Sequence, residues 1–450
     1  MIGIRKRFNI LIRVVAILLL PFISVVLVCS IPSVQTYFGG YATNRLNEQF
    51  GTDIRVDKVG LQFNGDIELK NILIRDHHND TLIAIEELNS SIISFIKIKD
   101  NNLIFKDIDI YGLFFHIKTY ADEGDSNLDI FVDRFESDQK KTGSSFKLSS
   151  DELSIYNSTF KLSNSNKTQS QLLDFKALNI QVSDFWINGP NVHANIQSLN
   201  FNDPRGVVMK NFQTDFNYRL DGMTFDDLNI NTSKSQLQGH LKFSYQRADL
   251  KNFSEKVNLE AHFSESTINL GELNIFYPEF GQSTTVQLTT DVQGTLNDLM
   301  LHNFYLNNAS GTTRIEGHFS FKNLISSKSD SFMMLGQFKT LRSNYSELKA
   351  ILPRLLGNYL PSNLKPLGDF SAQGYASIFD DSIDINFDIS TAIGQLYTDL
   401  KLSNIKPIDS ASYSGQLNLM DFDLGVILNE PKVGLVNSNL TLEGKGFTIE

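Results

Sequence analysis

Polar and apolar residues alternate along most of this chain. In "DSIDINFDIS", which begins at Asp381, Ile383, Ile385, Phe387 and Ile389 fall on one face of an extended strand. Asp384, Asn386 and Asp388 fall on the other. Successive strand side chains point to opposite faces, so a period of two marks a sheet with one apolar and one polar face. "NFQTDFNYRL" and "FSAQGYASI" read the same way, and clusters such as "HHND", "ADEGDSN", "SNSNKTQS" and "NNASG" separate the runs as turns. From Asp53 onward the pattern predicts a mainly β body. About 400 residues at roughly 11 per strand and turn give on the order of 36 strands, or roughly 170 Å if stacked edge to edge.

Two longer stretches repeat. "LNINTSKSQLQGHLKF" from Leu228 and "LNNASGTTRIEGHFSF" from Leu306 align without a gap, each with Gly-His at the same place. Parity puts Leu237, Gly239, Leu241 and Phe243 on one face, opposite Gln238, His240 and Lys242. In the second copy Ile315, Gly317, Phe319 and Phe321 oppose Glu316, His318 and Ser320. The histidine is therefore a polar-face residue of a repeated strand, and no second ligand type recurs with it. The glycine leaves a gap in the apolar wall or lets the sheet bend.

A shorter motif recurs as "LKNILI" at 69, "FKDIDI" at 105, "FDDLNI" at 225 and "LHNFYL" at 301. Its first apolar position differs in parity from the last two, so a bulge or corner is expected at the Asn or Asp. Helix is expected in only two places. In 33–50, "SVQTYFGGYATNRLNEQF", the apolar positions fall near one helical face, as in a helix lying on a membrane surface or capping the first strand. Gly39-Gly40 weakens that helix. About 344–360, "SNYSELKAILPRLLGNYL" has helical spacing opened by Asn344 with Glu347 three later, and Pro353 should kink it. Such a helix would lie across the sheet or plug it, or act as a gate.

Composition adds the compartment. Residues 1–31 carry Arg5, Lys6, Arg7 and Arg13 and no acid, leaving 36 basic against 51 acidic residues, or −15, in the remainder. Binding to nucleic acid, which needs a basic face, is not expected. "VVAILLLPFISVVLVCSI", from Val14 to Ile31, is long enough at about 27 Å to approach a bilayer core. The preceding basic cluster puts the N-terminus in the cytoplasm. Val14, Leu18, Phe22, Val26 and Ile31 are its anchor positions. A cleaved signal peptide is the rival reading, but no Ala-x-Ala follows the run. The single cysteine, Cys29, lies within the run and allows no intrachain disulfide.

Catalytic chemistry is not apparent. The eight histidines form no His-x-x-x-His pair, and His77-His78 in "RDHHND" reads more simply as a polar turn than as a metal site. "DIDIYG" from Asp107 opens like a calcium loop but has Lys118 at the twelfth position. No phosphate-binding glycine loop and no Gly-x-Ser-x-Gly elbow occurs. The chain reads as non-enzymatic, with no catalytic, metal or cofactor residues.

The anchor, the short helix and "DIRVDKVGLQFNGDIELKNILIRDHHNDTLIAIEELN" resemble the opening of the TamB branch of the AsmA-like, bridge-like lipid-transfer proteins. "TSKSQLQGHLKFSY", "VQGTLNDLMLHNFYLNNASGTTRIEGHFSF" and "FDLGVILNEPKVGLVNSNLTLEGKGF" are similar to that family's body repeats. The resemblance implies an elongated, twisted β-groove (taco- or solenoid-like) of residues 51–450 behind a single-pass inner-membrane anchor of residues 1–32, with the body in the periplasm. It implies phospholipid acyl chains as cargo, moving toward the outer membrane. It also implies outer-membrane protein assembly beside a TamA-like barrel, the partner of the translocation and assembly module in protein secretion. The family's C-terminal domain that meets this barrel has no counterpart before "EGKGFTIE", which reads as a truncation. Leu237, Leu241, Phe243, Ile315, Phe319, Phe321, Ile383, Ile385, Phe387 and Ile389 are the candidate groove lining. A non-transporting scaffold is the alternative, because periodicity does not distinguish an open trough from a closed core.

Overall fold

The computed structural model describes residues 31–62, 66–92, 102–142, 147–166, 171–274, 280–324, 332–351, 353, 362–405 and 411–446. Anchor positions Val14, Leu18, Phe22 and Val26 lie outside these residues. Ile31 is described, as the exposed residue that precedes the first helix. Among the described residues, no helix is long and apolar enough to cross a membrane. Twenty-one strands and a few helices among the described residues make the structure mainly β. The strands are fewer than the alternation predicted because several are far longer than a turn-to-turn count assumes, up to 18 residues. The chain divides into two compact units, 1–204 and 205–450.

In the first unit the helix Pro32–Phe50 covers the outer edge of β1 (Asp53–Leu61). An exposed strand edge presents unpaired N–H and C=O groups that invite aggregation. Here side-chain amides take the place of a neighbouring strand. Gln35 Nε2 donates to the Leu61 carbonyl at 2.6 Å while its Oε1 accepts the Leu61 N–H at 2.8 Å. Asn47 does the same for Ile54, at 2.8 Å each way. The helix runs unbroken through Gly39-Gly40, because Gly39 lies against Val59 where a Cβ would come within 2.4 Å of its side chain. Residues 33–50 thus form a helix that lies along the edge of the first strand.

β1 pairs with β2 (Asp66–Arg75), and β2 with β3 (Thr81–Ile92), both antiparallel. Next come β4 (Asn102–Tyr111) and β5 (Phe114–Thr119), which share one position between β3 and β6 (Lys147–Asn164). Both run parallel to β6. They are separated at Gly112, whose φ of 63° is left-handed, and the buried Ser158 hydroxyl accepts the Leu113 N–H at 3.0 Å across the break. A parallel neighbour requires a crossover. The helix Asn127–Thr142 supplies it, in a region where the sequence pattern predicted no helix. β7 (Gln171–Asn188) and β8 (Asn191–Asn202) complete the unit, antiparallel. "DIDIYG" lies in β4, not in a calcium loop.

The second unit is an antiparallel meander of thirteen strands in chain order. They are β9 (Val208–Arg219), β10 (Gly222–Thr232), β11 (Gln236–Ser244), β12 (Asn258–Asn269), β13 (Thr285–Gly294), β14 (Leu299–Asn308) and β15 (Arg314–Lys322). β16 (Met333–Asn344), β17 (Asp369–Phe379), β18 (Ser382–Thr391), β19 (Gly394–Ser403), β20 (Ser412–Asp423) and β21 (Leu435–Lys445) follow. The expected second helix begins where its cap predicts. The Glu347 N–H donates to Asn344 Oδ1 at 2.9 Å, and the helix is described over Tyr345–Ile351. Of the expected helix, 352 and 354–360 lie outside the described residues. The described end of this helix packs on residues of the sheet. Ile351 is buried with Leu270 and Val286, and Leu306 packs on this cluster at one margin.

Candidate functional site

The site is a face, and the bulges build it. In "FDDLNI" Asp227 has φ 49°, and the pairing of β10 with β11 slips between Phe225 and Leu228. In "LHNFYL" Asn303 also has φ 49°, and the pairing of β14 with β15 slips between Leu301 and Phe304. The extra left-handed residue restores parity, so the first apolar residue returns to the face of the last two. Each bulge is clasped from the neighbouring strand by a buried threonine. Thr214 Oγ1 donates to the Asp226 carbonyl at 2.7 Å, and Thr290 Oγ1 to the His302 carbonyl at 3.2 Å. "LKNILI" has its left-handed residue at Asn71 (φ 51°). "FKDIDI" departs from the rule, because its irregularity is a register slip against β3 without a left-handed Asp107.

The glycines of the Gly-His repeat sit opposite these bulges. Gly239 faces Leu228, and Gly317 faces Phe304. Neither position has room for a side chain: a Cβ would come within 1.9 Å of the His262 carbonyl oxygen at Gly239, and within 2.1 Å of that of Gln337 at Gly317. The structure also corrects the gapless alignment. The bulge residues Asp227 and Asn303 are 76 apart while the glycines are 78 apart, because the second hairpin turn is two residues longer. It is closed by Asn308 N–H to Thr313 O, where the first is closed by Thr232 N–H to Ser235 O. The repeated histidines have different partners. His240 Nδ1 lies 2.6 Å from Asp226 Oδ1, whereas the His318 ring lies 6.0 Å from that of His302. The repeat is therefore structural, and the histidine is not a site used twice.

Register then joins the apolar positions across strands. In the second unit one cross-strand file reads Phe216, Phe225, Leu241, Ala261, Val292, Leu301, Phe319, Gly336, Ala376, Ile385, Leu400, Gly415, Leu442. Every one of the thirteen strands contributes an apolar residue or a glycine. The adjacent file begins Asn217, Thr224, Lys242, Glu260, Gln293 and faces the other way. Leu241, Phe319 and Ile385 of the sequence candidates belong to the apolar file itself. Ile315 and Ile389 fall in a second one through Leu341 and Ala372. Phe321 and Ile383 fall in a third through Met334 and Ile378. Phe387 reaches Phe338 across Gly374, with ring centroids 5.4 Å apart, and Phe338 in turn meets Phe319 at 5.0 Å. Leu237 and Phe243 flank Leu241 on β11.

Most of this face is partly rather than fully buried. Of the ten candidates only Phe319 (9%) and Phe387 (8%) are buried, and the other eight are half-buried. The file as a whole is partly buried, and fully buried at Ala261, Phe319, Gly336 and Ala376. A closed sandwich of this width would bury its central strands on the inner side. Among the described residues the buried clusters are small and local, one under Ile351 and one around Phe387, Ala372 and Ala376.

Sequence reading missed the counterpart in the first unit. There Val59, Leu69, Leu88, Ile110, Ile155, Ile180 and Leu199 form one file, all half-buried. A second runs Ile54, Ile74, Ile83, Phe115, Phe160, Phe175, and Phe201 stacks on its end at 3.8 Å. The signal was present in "LKNILI" and "FKDIDI", but the parallel crossover that aligns them has no sequence signature. No family model, no curated protein and no solved structure matches this chain.

Proposed function

We propose that this protein is a membrane-anchored carrier that holds phospholipid acyl chains against the apolar face of its sheets and passes them along it, as the resemblance to the TamB branch implies. The observation that supports this most directly is the unbroken apolar file through all thirteen strands of the second unit, most of it only partly buried. A contiguous apolar surface of that extent is one that a solitary soluble protein avoids. An acyl chain laid on it gains about 0.8 kcal/mol per methylene removed from water. Because neighbouring positions along the file are all apolar or glycine, a chain meets no polar step as it shifts from strand to strand. The elongated groove, the inner-membrane anchor and transfer toward the outer membrane belong to the same reading. So does a TamA-like barrel as partner.

A photo-crosslinking amino acid placed in cells at Leu241 or Ile385, and on the opposite face at Lys242 or Asp384, tests it. Phospholipid extracted from the products at Leu241 and Ile385 alone is the expected result. Equal capture on both faces, or none, would return the protein to the role of a scaffold. Capture of outer-membrane protein segments in place of lipid would favour an assembly role.

A further inference from the structure

One end of the first unit carries a second kind of chemistry. The turn between β2 and β3 is Asp76-His77-His78-Asn79-Asp80, and it lies beside the loop Tyr120–Ser126 that leads from β5 into the crossover helix. Both histidine rings point at one carboxylate. His77 Nε2 is 2.9 Å from Glu123 Oε2, and His78 Nε2 is 2.7 Å from Glu123 Oε1. One ligand atom from each of the three residues lies within 4.8 Å of the others. Nδ1 of His77 is buried with no hydrogen-bond partner, so that ring has only Nε2 to offer.

The surroundings fix this geometry. Asp76, 6% exposed, accepts the backbone N–H groups of His78 and Asp80 on Oδ1, and the Tyr120 hydroxyl and Asn127 amide on Oδ2. Asn127, 1% exposed, also donates to the His116 carbonyl and accepts the Lys118 N–H. The Tyr120 ring packs on His78 at 3.9 Å. Asn166 holds the other loop through the Tyr120 and Glu123 carbonyls and the Asp122 N–H. Two buried polar residues and a stacked tyrosine thus orient three ligands from two loops, as the supporting groups of metal ligands do.

We propose that His77, His78 and Glu123 bind a divalent cation of the zinc class, through both Nε2 atoms and the Glu123 carboxylate, with a fourth position left for water. Two imidazoles and a carboxylate suit zinc and its neighbours rather than magnesium or calcium, which take all-oxygen sites. In a tetrahedral shell with bonds of about 2.0 Å the ligand atoms stand about 3.3 Å apart. The present nitrogen–oxygen separations of 2.9 and 2.7 Å, one to each carboxylate oxygen, need to open by about 0.4–0.6 Å. Binding at Nε2 requires neutral rings that carry their proton on Nδ1, any further proton leaving to solvent, and it ties the β2–β3 turn to the start of the crossover helix.

The test is a titration of the detergent-purified full chain, stripped with a chelator, with Zn²⁺ alone. Calorimetry reads stoichiometry, Co²⁺ absorption reads coordination, and melting with and without chelator reads linkage. One ion per chain is expected, with a raised melting temperature and a tetrahedral Co²⁺ spectrum. His78→Ala and Glu123→Gln, both at partly exposed positions, should each weaken binding at least about tenfold. His262→Ala, at an exposed histidine of the second unit, should change nothing. Absence of binding at about 100 µM Zn²⁺ overturns the proposal, since structural sites bind far more tightly than that. Binding that survives both substitutions, an adventitious ion only, overturns it equally.

Discussion

Asp109 shows how a single polar-face residue can be held at a cost. It lies on β4 between Asn89 and Ser154. Burial pushes its carboxyl above the ordinary carboxylate range, the nearby Asp107 and Glu152 charges add to this, and a hydrogen bond with Ser154 opposes it. A carboxyl whose folded pKa is raised favours the fold when protonated. Its contribution is fully present below the unfolded value of about 3.9 and is lost as pH rises through the folded value. Asp109→Asn should therefore stabilise the protein at pH 7, by up to about 1 kcal/mol, and the gain should fade toward pH 3. Denaturant titrations of both proteins at the two pH values measure this. A neutral-pH loss would mean that the Ser154 hydrogen bond outweighs the repulsion.

At the scale of elements, the helix Pro32–Phe50 owes its place to contacts with β1 that only some of its residues make. Gly39 is pressed against Val59, whereas nothing lies within 4 Å of a Cβ added at Gly40. Two adjacent glycines in one helix should thus respond oppositely to alanine. Gly40→Ala is expected to stabilise by about 0.5–1 kcal/mol through helix propensity. Gly39→Ala is expected to destabilise by about 1–3 kcal/mol through overpacking, and to loosen the cap on β1. Amide hydrogen exchange at Ile54 and Leu61, whose N–H groups donate to Asn47 and Gln35, reports the second effect directly. If the two variants behave alike, the helix is not docked as described.

For the whole molecule, the proposed carrier needs its apolar files to be surface, not core. A chain of 450 residues folded into an ordinary globule has a radius of gyration of about 22 Å. An elongated groove of the kind proposed should exceed this clearly in small-angle scattering of the detergent-solubilised protein, after correction for the micelle. A compact value would mean that the half-exposed files close on one another, and the lipid reading would fall with it.

Residues close together in the chain specify much of the strand pattern and the two faces of each strand. Strand alternation in "DSIDINFDIS", the bulges at Asp227 and Asn303, the glycines on the apolar wall and the cap at Asn344 were all legible, because each depends on residues close together in the chain. The same period of two is what places each of the ten candidate lining residues on one face of its strand. Register was decided only in the tertiary structure. Which apolar residue stands beside which depends on turn lengths and left-handed residues in two strands at once, so a gapless repeat concealed a two-residue difference between hairpins. The parallel crossover through Asn127–Thr142 could not be read either, since the sequence there shows a polar turn and then a short, largely polar run. Nor could the convergence of Glu123 on His77 and His78 from 45 residues away. Local periodicity fixes what a strand looks like. Contacts between distant segments, set by hydrogen-bond register and by buried polar groups such as Asp76 and Asn127, fix what it stands next to.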